Sequence, residues 1–170
     1  MQPLLSVAVA LAILTQNAFA HLRSQHFPGY GFGWYDPPCA FACEDALSAA
    51  PLSCTDVETG SSSPECRATN VPFLTSLAYC MQQNCDADST PAWQRELFWH
   101  DKMTGDVSVV PMMDYATALM LVNGTPTVEF NSSSEDVLNT TVLVPDTAYL
   151  MQYKFNVMFD HIEMLQARYW

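Results

Sequence analysis

Apolar side chains recur at intervals of three and four residues in several stretches of the chain, which is the spacing of an amphipathic helix. The clearest stretch is the last one, where spacings of 4, 3, 4 and 3 separate Met151, Phe155, Met158, Ile162 and Leu165. Residues 147–168 are therefore predicted to form one long amphipathic helix with a continuous apolar seam, and Asp146 is its predicted cap. The seam is expected either to pack on the helix's own domain or to meet a partner.

Four shorter helices are predicted upstream, at residues 39–49, 71–85, 91–102 and 111–121. A proline stands at or near the start of each one, where its missing N–H is tolerated. Thr90 is the predicted cap of the third helix. The predicted buried face of the fourth consists of Met112, Tyr115, Leu119 and Met120.

The remaining stretches lack helical periodicity and are rich in turn-forming residues. Residues 50–70 are predicted to be turns, and residues 122–144 to be mostly irregular, with one strand at 140–144. The predicted fold class is therefore mainly α, a small helical domain with irregular loops.

All six cysteines lie between residues 39 and 85, so one segment of the chain carries every possible cross-link: Cys39, Cys43, Cys54, Cys66, Cys80 and Cys85. An even number in one segment, downstream of an export signal, indicates three disulfides rather than a metal site or redox thiols. Cys39 and Cys43 lie one helical turn apart, so they are predicted to bond to two separate partners. The pairing stays open, because six cysteines allow many connectivities.

Residues 1–20 have the pattern of a secretory signal peptide. The apolar run from Leu4 to Leu14 is followed by a small-x-small site at Ala18-Phe19-Ala20. The run is too short to span a bilayer. Cleavage would leave residues 21–170 as a single domain. The predicted location is outside the cell, either secreted or on the extracellular side of the plasma membrane.

Three N-glycosylation sequons, at Asn123, Asn131 and Asn139, fall within the irregular stretch 122–144. They agree with export and predict that this loop faces outward. The chain carries 18 acidic and 6 basic residues, a net charge of −12. Such a surface repels phosphate backbones, so nucleic acid is excluded as a partner, whereas metal ions remain open.

Several motifs, in order along the chain, carry a resemblance to a known family: residues 29–43, residues 64–80 with Cys85, residues 91–93 and residues 141–144. They resemble the extracellular N-terminal region of fungal ferric reductase-like transmembrane proteins. Members of that family continue into a haem-binding transmembrane bundle and a cytosolic flavin and nicotinamide module, which reduce ferric or cupric ions.

The resemblance implies an accessory role in iron or copper homeostasis, with the transmembrane part of a reductase as the partner. This sequence has no glycine-rich dinucleotide loop and no membrane helices with paired haem-ligating histidines. The sequence therefore predicts no reductase chemistry for this chain alone. No serine, cysteine or lysine stands with a convincing base, so no catalytic residue is predicted.

The cysteine segment is also similar to the fungal extracellular cysteine-rich module of the CFEM type, some members of which bind haem through an aspartate. Residues 38–43 and 66–85 follow that pattern. The chain departs from it because that module has eight cysteines, and Arg67-Ala68 stands where a further one is expected. By this resemblance Asp56 is the candidate haem ligand, and a solvated loop aspartate is the alternative.

A second alternative is a copper site. Cleavage after Ala20 would make His21 the first residue, and an N-terminal histidine can chelate Cu(II) through its α-amine and Nδ1. His26, His100 and His161 are the available second ligands. This arrangement would suit a secreted copper-binding protein or monooxygenase, and the alternative is a terminal histidine with no ligand.

Overall fold

The computed structural model describes residues 35–167. Within this range the helices are α1 (Pro38–Leu47), α2 (Pro64–Thr69), α3 (Val71–Ala87), α4 (Ala92–Asp101), α5 (Tyr115–Met120) and α6 (Asp146–Ala167). The β pairing found in the same range is an isolated parallel bridge between Glu129 and Leu143. The prediction of a mainly α domain is confirmed. The predicted signal peptide, residues 1–20, lies outside the described residues.

Helix α1 occupies the centre, with α3 packed on one part of its surface and α6 on another. Its buried residues are small, apart from one leucine: Cys39, Ala40, Ala42, Cys43, Ala46 and Leu47. Small side chains let neighbouring helices approach closely, so a helix of only ten residues can be covered from two sides.

Two disulfides fix the register of α1 against α3. Cys39 bonds to Cys85 and Cys43 bonds to Cys80, with Cα–Cα separations of 5.3 and 5.8 Å. Because the earlier cysteine of α1 pairs with the later cysteine of α3, the two helices run antiparallel. The prediction that Cys39 and Cys43 bond to two separate partners is confirmed.

The third disulfide, Cys54–Cys66, ties the loop after α1 to α2. Helix α2 lies within the stretch predicted to be turns, so that prediction is wrong for Pro64–Thr69. The Ser63 side chain accepts a hydrogen bond from the backbone N–H of Cys66 at 3.2 Å and caps the helix. Asn70 then ends α2 and caps α3, because its Oδ1 accepts from the Phe73 N–H at 3.0 Å.

The next two helices differ from their predicted limits. Pro91, rather than Thr90, is the N-cap of α4, because the Thr90 hydroxyl lies 3.4 Å from Cys39 Sγ instead. Helix α5 begins only at Tyr115, since Asp114 accepts a hydrogen bond from the Thr117 N–H at 2.7 Å and caps it there.

The buried face predicted for the fourth helix is only partly right. Tyr115 is buried, but the buried residue one turn later is Ala118. Met112 and Met120, which the periodicity placed inside, are exposed. Leu119 is partly buried against the core.

The loop between α5 and α6 contains the three predicted glycosylation sites, and all three asparagines are exposed. The chain around them is nevertheless anchored. The Leu138 N–H donates to the Pro51 carbonyl at 2.7 Å, and the Val142 N–H donates to the Ser76 hydroxyl on α3 at 2.9 Å. The predicted strand at 140–144 is reduced to the bridge at Leu143. This loop therefore lies on the domain at fixed points, with its sequons facing solvent.

The disulfide pairing can be tested by peptide mapping without reduction. Cyanogen bromide cleaves after Met81 and separates Cys80 from Cys85, and chymotrypsin cleaves after Phe41 and separates Cys39 from Cys43. We expect mass spectrometry to find Cys39 linked to Cys85 and Cys43 linked to Cys80, because the antiparallel register brings only these pairs to bonding distance. A Cys39–Cys80 peptide would contradict the register described for α1 and α3.

Candidate functional site

Helix α6 contacts the domain through residues whose side chains have polar ends. Tyr149 and Asn156 are buried, and Tyr153 is partly buried with its ring stacked on that of Tyr149, 5.5 Å between centroids. Asn156 Nδ2 donates to Asp45 Oδ2 on α1 at 3.0 Å. Because Asn156 is only 2% exposed, this hydrogen bond satisfies an amide that would otherwise be buried without a partner.

Two neighbouring carboxyl groups of α1, those of Glu44 and Asp45, have raised pKa values. The side chain of Glu44 is 14% exposed and forms an ion pair with Arg67. Burial raises the pKa of Glu44 to about 7, and the nearby Arg67 guanidinium only partly opposes that shift. Burial also raises the pKa of Asp45 above its ordinary value, while the hydrogen bond from Asn156 opposes the shift. Burial therefore favours the protonated form of both carboxyl groups.

The aromatic side chain of Phe159 holds α6 along one edge. Its ring stacks on Tyr35 with 5.6 Å between centroids, and Tyr35 also contacts Phe41 of α1 at 5.4 Å. Phe41 in turn packs edge-on against Phe98 of α4 at 4.9 Å. These four rings form a continuous contact from α4 to α6, so the position of α6 is set by packing as well as by the Asn156 hydrogen bond.

The opposite face of α6 points away from the domain. We call it the outer face and define it by Met151, Phe155, Met158 and Ile162, which are 56%, 50%, 47% and 41% exposed. They are four of the five residues of the predicted seam, and the side chain of the fifth, Leu165, lies outside the described residues. Within the described residues, the expectation that the seam packs on its own domain is therefore wrong. The helix is buried through the other side, at Tyr149 and Asn156.

The outer face is broad as well as apolar. Leu150 and Val157 extend it on one side and are also exposed. An open groove runs along it, and its lining residues are Thr147, Leu150, Met151, Lys154, Phe155 and Met158. A helix that is hydrophobic around most of its circumference is normally covered on all sides. In the part of the chain that the structure describes, α6 is covered on one side only.

The charge along this part of α6 differs from that of the rest of the protein. Residues 147–159 contain no aspartate or glutamate and one basic residue, Lys154, although the whole chain has a net charge of −12. From Met151 to Met158 the outer face is therefore an apolar strip without carboxylates on an acidic protein.

Asp56, the candidate haem ligand, lies in an exposed turn. Its Oδ1 accepts hydrogen bonds from the N–H groups of Glu58 at 2.7 Å and Thr59 at 3.0 Å. These two bonds hold the pKa of Asp56 below its ordinary value. The neighbouring Val57 is 98% exposed. Asp56 thus acts as the cap of a turn in this structure, and haem binding through it stays a prediction.

The residues of the predicted copper site cannot be compared in space, because His21 and His26 lie outside the described residues. His100 is exposed, and its Nδ1 lies 2.6 Å from Asp101 Oδ1. His161 is exposed on α6. Among residues 35–167 there is no cluster of three or more histidine, cysteine, aspartate or glutamate side chains that could hold a metal ion. Copper binding through His21 stays a prediction.

Comparisons with protein-family models, with curated protein sequences and with solved structures find no match to this chain. Across residues 35–167, none of the helices combines the length and the apolar character needed to cross a bilayer. The outer face of α6 brings several exposed apolar side chains of the described residues together on one helix. The spacing in the sequence identified these residues as one face of the helix, but it did not show that this face points to solvent.

The raised pKa of Glu44 predicts how stability changes with pH. Between about pH 4.5, the ordinary value, and about pH 7 the folded domain keeps a proton that the unfolded chain has lost. The free energy of unfolding should therefore fall as pH rises through this window, by on the order of 3 kcal/mol. Urea denaturation at several pH values measures this change. We expect Glu44→Gln to reduce the slope, since glutamine does not titrate.

Glu58→Gln is the matched control, because Glu58 is exposed and lies outside the contact between α1 and α6. It should keep the slope of the unaltered protein. A free energy of unfolding that rises between pH 4.5 and 7, or a Glu44→Gln variant with an unchanged slope, would contradict the account of this site.

Proposed function

We propose that this protein is a non-catalytic accessory domain that works outside the cytoplasm and docks onto another macromolecule through the outer face of α6. The observation that carries the proposal is the exposure of Met151, Phe155 and Met158 on a helix whose opposite side is fixed to the domain. Contiguous apolar surface of this kind on a soluble domain marks an interaction site.

The disulfides and sequons support the compartment in this proposal. All six cysteines are paired in three disulfides, and such bonds persist in oxidising environments such as the secretory pathway and the cell exterior. Asn123, Asn131 and Asn139 are all exposed, as glycan acceptors must be. An exported location would also explain the disulfides, since a small exported domain gains from its cross-links stability that its limited core does not supply.

The resemblance of residues 29–43 and 64–85 to the ectodomain of fungal ferric reductase-like proteins supports a place for the domain beside iron or copper uptake. In that setting the domain would cap or gate a membrane reductase and would not transfer electrons itself. An accessory role of this kind needs a surface for contact and no catalytic centre.

Site-specific photo-crosslinking in cells that secrete the protein tests the proposal. A photoreactive amino acid at position 155 lies on the outer face, and one at position 107 is the matched control, because Val107 is exposed and apolar but remote from α6 in the chain. We expect position 155 to give an adduct of one defined mass and position 107 to give none. The adduct should disappear when Met151 and Met158 are both replaced by glutamate.

Two results would overturn the proposal. One is the absence of any adduct from position 155 under conditions in which the probe reacts with solvent. The other is an adduct from position 155 that survives the two glutamate substitutions, since it would then be independent of the apolar face.

A further inference from the structure

We infer that the occupant of the outer face of α6 is a second copy of this chain, so that the protein forms a two-fold symmetric dimer through α6. The inference rests on the proposed function and names its partner. Three properties of the described residues carry it: the spacing of the exposed side chains, the charge around them and the area that they leave open.

The spacing matches that of helices that pair with each other. Met151, Phe155, Met158 and Ile162 follow one another at intervals of 4, 3 and 4 residues. These are the intervals between successive a and d positions of a coiled coil, in which each apolar side chain enters a hole on the facing helix. The pattern covers twelve residues, or about 18 Å of helix, so the paired segment is short.

Within residues 35–167, the outer face is exposed to solvent, as pairing with a second helix requires. Tyr149 and Asn156 fix α6 to α1 through the opposite side of the helix. A second α6 can therefore lie along the outer face without displacing the Asn156 hydrogen bond or the packing of Tyr149. Because each copy presents the same strip to the other, the contact is self-complementary and closes as a dimer.

Charge favours a second copy over an anionic membrane. Two molecules with a net charge of −12 repel each other through most of their surfaces, but residues 147–159 carry no carboxylate. From Met151 to Met158, two copies can therefore meet along the outer face without opposing carboxylates, and Asp160 and Glu163 flank the face only at its Ile162 end. A helix that lies on an anionic membrane usually has a polar face rich in lysine and arginine, whereas this segment has only Lys154.

The open area fits a weak dimer. Half-exposed side chains of this size leave on the order of 500 Å² of apolar surface on each copy. Pairing two copies would cover about 1,000 Å² in total, which is the lower limit for a specific interface. We therefore expect a dissociation constant in the micromolar range, on the order of 1–100 μM, rather than a permanent dimer.

Sedimentation equilibrium of the secreted protein, with its N-glycans removed enzymatically, measures the association. We expect the weight-average mass to rise with concentration from that of one chain toward that of two. Phe155→Glu and Met158→Glu should each weaken the dimer at least tenfold, because they place opposed carboxylates in the seam. Met112→Glu is the matched control, an exposed methionine outside α6, and should leave the association unchanged.

Thermal melting of each variant separates loss of the interface from loss of the fold. Because Phe155 and Met158 are exposed, both variants should melt as the unaltered protein does at a concentration where it is monomeric. A protein that stays monomeric to several hundred micromolar would overturn the dimer. So would an association that the α6 variants do not change. A monomer that Phe155→Glu destabilises would also overturn it, since the chain itself would then cover the face.

Flotation with vesicles of phosphatidylcholine distinguishes the dimer from a lipid-bound form. Binding of a monomer to these vesicles that is lost in Met158→Glu would overturn both the dimer and the proposed docking onto a macromolecule, because the outer face would then bind lipid. If photo-crosslinking at position 155 gives no adduct, the proposed function fails together with the dimer. If it gives an adduct whose mass differs from that of two chains, only the dimer fails.

Discussion

The two disulfides between α1 and α3 are the constraint on which the rest of the structure depends. A ten-residue helix is only marginally stable by itself, because few hydrogen bonds offset the free-energy cost of nucleating it. Cys39–Cys85 and Cys43–Cys80 hold α1 against α3 at two points one turn apart. They also remove conformations from the unfolded chain, an effect of about 2–4 kcal/mol for each bond in the loop-entropy description. With α1 fixed, its remaining surface becomes the support for α6.

The attachment of α6 to that support is polar and aromatic rather than aliphatic. Asn156 hydrogen-bonds Asp45, and Phe159 joins the line of rings that passes through Tyr35 to Phe41. The apolar side chains of the outer face are instead left exposed to solvent. The greatest stability would come from burying the apolar side chains of α6 against the domain, since burial of apolar surface is the main favourable term in folding. The exposure of the outer face is what supports the proposal that it contacts another molecule.

Much of the helical framework could be predicted from the sequence, because it depends on local signals. Prolines near the starts of α1, α3 and α4 and the periodicity of residues 147–168 located four helices within a few residues of their observed bounds. Helix α2 was missed because it has only six residues and follows a serine-rich turn, and the Cys54–Cys66 bond that secures it cannot be inferred from spacing.

The orientation of α6 could not be predicted, and the reason is physical. Periodicity shows that a helix has an apolar face, but α6 also has a second face with Tyr149 and Tyr153 that can be buried. The choice between them depends on Asn156 meeting Asp45, two residues 111 positions apart. The Asp45 carboxylate beneath α6 and the Asn156 amide in it determine which face is buried, and neither produces a hydrophobic signal. The ion pair between Glu44 and Arg67 could not be predicted for the same reason, since it also produces no hydrophobic signal.

The measurement that most directly tests the central claim is the oxidation rate of individual methionines, followed by mass spectrometry in dilute and in concentrated protein. Exposure governs how fast a methionine is oxidised. In dilute protein Met151 and Met158 should react as fast as Met112 and Met120, which are exposed elsewhere, and far faster than the buried Met81. In concentrated protein Met151 and Met158 alone should become protected. If they are protected as strongly as Met81 in dilute protein, or remain unprotected at every concentration, the account of the outer face is contradicted.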